Sequence, residues 1–447
     1  MSSVASGAKP PGFAQRFFQL SENGTDARTE ILAGLTTFVT MAYILLVNPV
    51  ILGNAGMDKG AVFMATALAS AISTLFMGLY ANYPFALAPG MGLNSFFAFS
   101  MVLGSGIPWR TALGLVFLSG IVAVVVTITR LRELLIRAIP MPLKHAVGAG
   151  IGLFIAFIGF KNAGIVVSDP NTFINLGSFH KPSTLLATIG LVITAVLVAR
   201  KIKGGILLGI IITSIIGIPM HITKLPTSWV SAPPSLAPTF LQLDLAGALH
   251  VAMIPIIFSL FFADLFDTIG TFVGVASRTG MIDEQGNLKR GNRALFADSL
   301  GTVFGSLLGT SNTTTYVESA AGVSAGGRTG LTSVTVALVF LLSVIFSPIA
   351  LAVPAEATAP ALIIVGIFMA TSLNEIRFAD FTEAFPAFLT AFLMPLTFSI
   401  SLGLSIGFVA YVVLMLLVGK AKEVHWLMYI LAAFFLIYFA FIRIGPG

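Results

Sequence analysis

The sequence predicts an all-α polytopic membrane protein of about fourteen spans, arranged as a 7+7 inverted repeat. Three observations predict it. Hydrophobic types make up 57% of the 447 residues and charged types only 9%, against roughly 25% charged in a soluble domain. Long apolar runs follow one another along nearly the whole chain. A Pro- and Ser-rich break at mid-chain, 221–245, leaves about seven runs on each side.

The composition also excludes. A soluble fold of this size keeps about a quarter of its unfolded surface wet, and 24 basic and 18 acidic side chains cannot cover it. A soluble enzyme and a nucleic-acid binder are ruled out, and lipid is the solvent that tolerates such a chain. Cysteine is absent, so no disulfide, thiolate nucleophile or Cys-ligated metal exists.

Residues 1–28 form a polar tail, expected to be cytoplasmic. Through 27 it has no apolar core followed by a small-residue cleavage site, so no cleaved secretory signal is expected. Apolar runs then fall near 31–52, 61–80, 85–103, 109–129, 146–160, 183–199, 204–220, 246–276, 294–309, 312–325, 330–350, 358–373, 382–398, 400–418 and 424–442. A helix needs about 20 residues to cross about 30 Å of hydrocarbon, and several runs are short or broken. The last three leave open which is short, tilted or peripheral. With the N-terminus inside and the spans alternating, 18 of the 24 Lys and Arg fall inside; Lys59, Arg110, Lys161, Lys181 and Lys224 fall outside, and Arg443 is unassigned. That bias follows the positive-inside rule. A membrane β-barrel is excluded, because its strands would alternate polar and apolar residues.

An odd number of spans per half makes the second half enter the membrane in the opposite sense, with 29–220 as the first repeat, 221–245 an extracytoplasmic linker and 246–443 the second repeat. Spans 3 and 10 both break the apolar pattern. The first reads YPFALAPGMGLNSFFAF (83–99) and the second GTSNTTTYVESAAGVSAGG (309–327). Pro84 and Pro89 break a helix, and Thr313, Thr314 and Thr315 favour extended backbone. Each stretch is expected to be a short strand followed by a short helix. Irregular backbone survives at membrane depth only where protein buries it or a cavity borders it, so a matched pair marks a transporter binding site.

Four carboxylates fall inside the spans: Asp264, Asp267, Asp298 and Glu318. Such groups face a cavity or a partner rather than lipid. Asp264 and Asp267, three apart, share one helix face and are expected to line one cavity. Asp267 is followed by Thr268, Gly270 and Thr271, which leave room for a ligand. Glu318 falls near the start of the short helix of span 10, where free backbone N–H groups are expected beside it; capping that helix is its structural alternative. Asn94 can both donate and accept, toward a heterocycle or toward broken backbone. Asp298, beside Ser299 and Thr302, is as much a helix brace as a substrate contact. Asn48 and Pro49 satisfy or kink backbone. Phe96, Phe97, Phe262 and Phe266 lie beside these groups, where stacking on a flat ligand competes with ordinary packing. The chain has no GxxxxGK[ST] loop and no metal-binding His pair, so uphill transport would draw on an ion gradient.

The blocks TEILAGLTTFVTMAYILLVNPVIL (29–52), ALAPGMGLNSFFAF (86–99), FFADLFDTIGTFVGVASRTGM (261–281), 293–331 and DFTEAFPAFLTAFLMPLTFSI (380–400) resemble the AzgA-like branch of nucleobase transporters, the adenine/guanine/hypoxanthine permeases of the nucleobase:cation symporter-2 group. The resemblance runs from about 26 to 440. It implies a core domain (about 29–130 plus 246–350) and a gate domain (about 140–220 plus 356–443). It implies a purine base bound at their boundary and symported with a proton, with no cofactor. Asp267, Glu318 and Asn94 fall on the family's binding positions. Asp267, Glu318 and Asp264 become proton-coupling candidates, and Asp298, Thr271 and Thr315 supporting residues. It further implies the cell membrane as location and a homodimer formed through the gate domain. An uncoupled carrier and an anion transporter of the same fold are the alternatives. The anion reading calls for a basic residue near the broken spans, where the sequence has none. A membrane-embedded enzyme would need a nucleophile–base or metal set within the spans, and none is visible.

Overall fold

At membrane depth a chain can satisfy its own N–H and C=O groups only as helix or as fully paired strand. The computed structural model describes residues 12–129, 131–226, 228–276 and 290–441, and in it the apolar runs are helices. Lys9, Arg130, Arg278, Lys289 and Arg443 of the charge tally lie outside the described residues.

The first half comprises span 1 (Ala27–Asn54), span 2 (Lys59–Ala81), span 3 (β1, Leu87–Pro89, then Met91–Gly104), span 4 (Trp109–Ile128), span 5 (Met141–Asn162), span 6 (Pro182–Ala199) and span 7 (Gly205–Gly217). A hairpin, β2 (Val166–Asp169) and β3 (Phe173–Leu176), joins spans 5 and 6. The second half comprises span 8 (Ile254–Ala276), span 9 (Gly291–Leu308), span 10 (β4, Thr313–Thr315, then Ser319–Ser324), span 11 (Gly330–Ala352), span 12 (Ala355–Glu375), span 13 (Phe381–Leu396) and span 14 (Ile400–Leu417). All three runs left open at the end of the chain are helices. Of these, 400–417 is long enough to cross alone, while 381–396 and the terminal helix Trp426–Phe441 are shorter.

The helix neighbours reveal the repeat. Span 4 packs on span 9 as span 11 packs on span 2, and span 8 packs on span 4 as span 1 packs on span 11. Span 13 packs on span 5 as span 6 packs on span 12, and spans 6 and 7 pair as 13 and 14 do. These contacts recur with the halves exchanged, which is what an inverted repeat requires. The terminal helix leans on span 14 and on the loop helix Leu131–Ala138. The helices fall into two bundles, spans 1–4 with 8–11 and spans 5–7 with 12–14. Spans 5 and 12 meet backbone to backbone. A Cβ on Gly152 would stand 2.7 Å from the Gly366 carbonyl, and one on Gly366 2.5 Å from the Gly152 carbonyl, so only glycine permits this approach.

The broken spans cross at the middle. β1 and β4 pair antiparallel, with Leu87 opposite Thr315, Ala88 opposite Thr314 and Pro89 opposite Thr313. Gly90 N–H to Asn312 C=O (2.9 Å) and Tyr316 N–H to Ala86 C=O (2.9 Å) extend the pairing at its two ends. A two-stranded ribbon has two outer edges, and in hydrocarbon both must be satisfied. Side chains do this. The Thr74 hydroxyl of span 2 accepts from Leu87 N–H (2.9 Å) and lies 3.0 Å from its carbonyl. Thr302 of span 9 donates to the Thr313 carbonyl (3.2 Å), and Asp298 accepts from Thr315 N–H (2.9 Å). Ser319 accepts from Ala86 N–H (3.0 Å), and the Tyr316 hydroxyl donates to Pro89 C=O (2.6 Å).

Candidate functional site

The strand crossing brings spans 1, 3, 8, 9 and 10 together, and the predicted residues sort themselves by their partners. Glu318 opens the short helix of span 10 but does not cap it with its side chain. Its carboxylate instead accepts a 2.6 Å hydrogen bond from the buried Tyr43 hydroxyl of span 1. The free N–H groups expected beside it are partly consumed. Those of Ser319, Ala320 and Ala321 bond to the carbonyls of Tyr316, Val317 and Glu318.

Asp267, on span 8, receives no hydrogen bond among the described residues. It stands within electrostatic reach of Asp298 and Glu318. Tyr43 and Tyr316 are within reach of both Glu318 and Asp267. Asp267 and Glu318 are half-buried, Val317 is 51% exposed, and Gly270, one turn along span 8, has open space where a side chain would go. Thr271 is buried beside them.

Asp298 is engaged on both oxygens. One accepts from Thr315 N–H (2.9 Å) and Thr315 O–H (2.8 Å), the other from Thr268 O–H (2.7 Å), and Thr268 in turn lies 3.0 Å from the Thr314 hydroxyl. Thr315 is therefore part of this brace. Asp264 does not share Asp267's surroundings. Its carboxylate lies 3.3 Å from the Thr302 hydroxyl, which it shares with the Thr313 carbonyl, and with Ala123, Phe261, Leu265, Asp298 and Ser299 it lines a small pocket between spans 4, 8 and 9. Asn94 is buried, with its carbonyl taken by the Ser311 hydroxyl and its amide 3.4 Å from the Pro89 carbonyl. It ties span 3 to the entrance of β4. Asn48 likewise donates to Thr66 (2.8 Å) and Thr310 (2.9 Å). Phe262 stacks on Phe266 and sits edge-on to Phe408 of span 14. No group of three or more His, Asp or Glu able to hold a metal occurs among the described residues.

Sequence reasoning missed Tyr43, Thr74 and Ser311, and it read Thr268 as room for a ligand where the structure makes it a donor to Asp298. A lone phenol inside the apolar stretch TMAYILL was the available signal for Tyr43. Glu30 was also missed. It is fully buried at the start of span 1, accepting from the N–H groups of Arg328 (2.8 Å) and Thr332 (3.1 Å) at the start of span 11.

The family model Xan_ur_permease, described as "Permease family", matches residues 28–406. The chain belongs to that family. This permease is 47% identical to the guanine/hypoxanthine permease PbuG of Bacillus subtilis over 438 residues, 96% of this chain and 99% of that protein. It is 44% identical to the adenine permease AdeP of Escherichia coli over 96% of this chain and 97% of that protein. A putative permease of Methanocaldococcus jannaschii is 53% identical over 96% of this chain and 99% of its own length. Among solved structures, the murine Slc26a9 anion transporter in its inward-facing state gives a TM-score of 0.64 at 13% identity, covering 94% of this permease and 74% of that chain. The transmembrane domain of the cyanobacterial bicarbonate transporter BicA gives 0.60 at 16%, covering 86% and 97%. At such identities the likeness is one of fold.

Proposed function

We propose that this permease imports a purine nucleobase, hypoxanthine, guanine or adenine, together with a proton across the cell membrane. The names of its full-length relatives support the purine class. The observation that carries the mechanism is the contrast among three neighbouring carboxylates. Asp298 is held by three donors and Glu318 by one, while Asp267 has none among the described residues. In this reading Glu318, one oxygen held by Tyr43, offers the other to a ring or exocyclic N–H of the base. Asp267 takes the external proton, which removes one of the neighbouring negative charges as a neutral base enters. Asn94 and Asp298 hold the strands that shape the site.

Spans 1–4 and 8–11 serve as the core and spans 5–7 and 12–14 as the gate, and their separate packing supports this division. The N-terminus lies in the cytoplasm, in keeping with the charge bias. Movement of gate against core then carries both cargoes inward.

The test is uptake of labelled hypoxanthine, guanine and adenine by cells lacking their own purine permeases, with wild type beside Asp267→Asn and Glu318→Gln, with and without a protonophore. Saturable uptake that is lost in both variants and collapsed by the protonophore is expected. Uptake indifferent to the protonophore removes the proton from the mechanism. No uptake of any purine by well-expressed protein removes the substrate.

A further inference from the structure

We propose that Phe398, on the turn between spans 13 and 14, plugs the site on the side of residues 221–245, and that Ser100 and Lys161 latch the plug shut. The inference rests on the alternating-carrier reading above but not on the identity of the cargo.

The turn is tight. Span 13 ends at Leu396 and span 14 begins at Ile400. Thr397 N–H bonds back to Leu393 C=O (2.9 Å) and Ser399 N–H to Met394 C=O (3.1 Å), and the Ser399 hydroxyl caps Leu402 N–H (3.2 Å). Phe398 between them has φ of +54°, a left-handed backbone that a bulky L-residue adopts only at a cost. Such a conformation persists where surroundings over-determine it, and it is found where function needs it. Here the surroundings come from both bundles. From its own bundle, the rings of Phe154 and Phe157 of span 5 meet the Phe398 ring edge-on, at 6.1 and 5.3 Å between centroids. From the other bundle, the Ser100 hydroxyl of span 3 donates to the Phe398 carbonyl.

Lys161, at the end of span 5, bridges the two. Its ammonium lies 5.1 Å from the Phe398 ring centroid and 5.9 Å from that of Phe99 on span 3, within cation–π range of both. Ser100 and Phe99 sit on the π-helical segment Phe96–Gly104, a form that often marks functional sites. Ser100 is six residues beyond Asn94, roughly 9 Å along span 3. The latch therefore stands just beyond the strand crossing, while the exposed Val317 and Gly270 open the site toward the other side. A hydroxyl–carbonyl bond, two cation–π contacts and one strained residue make a joint that can part without unpacking a helix. Once Phe398 leaves Ser100 and Lys161, the strained turn is free to relax.

The absence of cysteine makes the test direct. Ile155→Cys places one thiol on span 5, at a fully buried position whose side chain lies close to Gly92 of span 3. Its labelling by a membrane-impermeant methanethiosulfonate is timed in right-side-out and inside-out vesicles, alone and with Phe398→Gly, Lys161→Gln or Ser100→Ala. Labelling from outside should rise about tenfold with Phe398→Gly, which removes ring and strain together, and about threefold with Lys161→Gln, which removes one cation–π partner. Outside rates unchanged in both variants, or a rise confined to the inner face, overturn the proposal. Should Phe398→Gly misfold, Lys161→Gln and Ser100→Ala still decide. Faster labelling in a protein that takes up no purine leaves the latch standing and removes only the cargo.

Discussion

The two halves of the molecule lay down one backbone and furnish it differently. Taken in chain order, Leu87 and Pro89, the first and last residues of β1, correspond to Thr313 and Thr315 of β4. Thr74 of span 2, bonded to Leu87, then corresponds to Thr302 of span 9, bonded to Thr313. One turn back on each helix stand Ser70 and Asp298. Only Asp298 has a strand N–H to meet, because Pro89 has none where Thr315 has one. The acid goes with the donor. Counted on in the same way, Gly92 corresponds to Glu318. A Cβ on Gly92 would stand 2.3 Å from an Ile151 methyl, so the first half has no room for the side chain that the second half extends toward Tyr43. The fold is symmetric where backbone must be satisfied and asymmetric where chemistry is placed.

If Asp298 is a brace and Asp267 is not, the two should separate on stability. Asp298→Asn keeps one acceptor oxygen and sets an amide donor against either the Thr268 hydroxyl or the Thr315 N–H and O–H. It is expected to cost about 2–4 kcal/mol, since bonds to charged groups and buried orphans each cost 1–3. Asp267→Asn should melt as wild type. Thermal unfolding of the purified proteins measures both, and equal melting would end the distinction.

Thr74→Val tests the first half's brace in the same assay. It orphans the outer N–H and C=O of Leu87 at constant shape, at about 1–3 kcal/mol, and Thr74→Ser should restore most of the loss. Wild-type melting of Thr74→Val would mean that β1 is held elsewhere. Tyr43→Phe removes a single hydroxyl from Glu318. The uptake KM should rise about tenfold with little change in melting, as expected for one hydrogen bond to a charged group. A fall in maximal rate at constant KM would move Tyr43 from binding to turnover.

The smallest effect lies outside the membrane. Asp244 in the linker accepts from Gly247 N–H and Thr111 O–H, and these bonds hold its carboxyl below its ordinary value of 3.8. A carboxyl lowered in the folded state adds stability above its unfolded pKa and loses it as pH falls through the folded one. Asp244→Asn should therefore lower melting slightly at pH 7 and narrow the gap between pH 7 and strongly acid conditions. A mutant whose pH profile parallels that of wild type would remove the effect.

The span pattern, the repeat and both broken spans were legible because each rests on a local signal: apolar length, parity of crossings, Pro and Thr where Leu would serve. The acids were legible because a charge in an apolar run stands out. Their division of labour was not. Asp264, Asp267 and Asp298 look alike in sequence, and one helix face seemed to join the first two. The structure turns Asp264 to Thr302 and leaves Asp267 near Glu318. Asn94 suited a ligand on its chemistry, yet Ser311, far along the chain, takes its carbonyl.

The sequence by itself determined that this chain lives in lipid, crosses it in two inverted halves and breaks two spans at matching places. Those outcomes follow from the cost of wetting apolar residues and of exposing backbone at membrane depth, and both are paid locally. Tertiary structure alone decided which carboxylate braces a strand, which one meets Tyr43 and which has no donor among the described residues. Hydrogen-bond partners at membrane depth come from other spans, hundreds of residues away in the chain. A side chain's role is set by the donors that reach it.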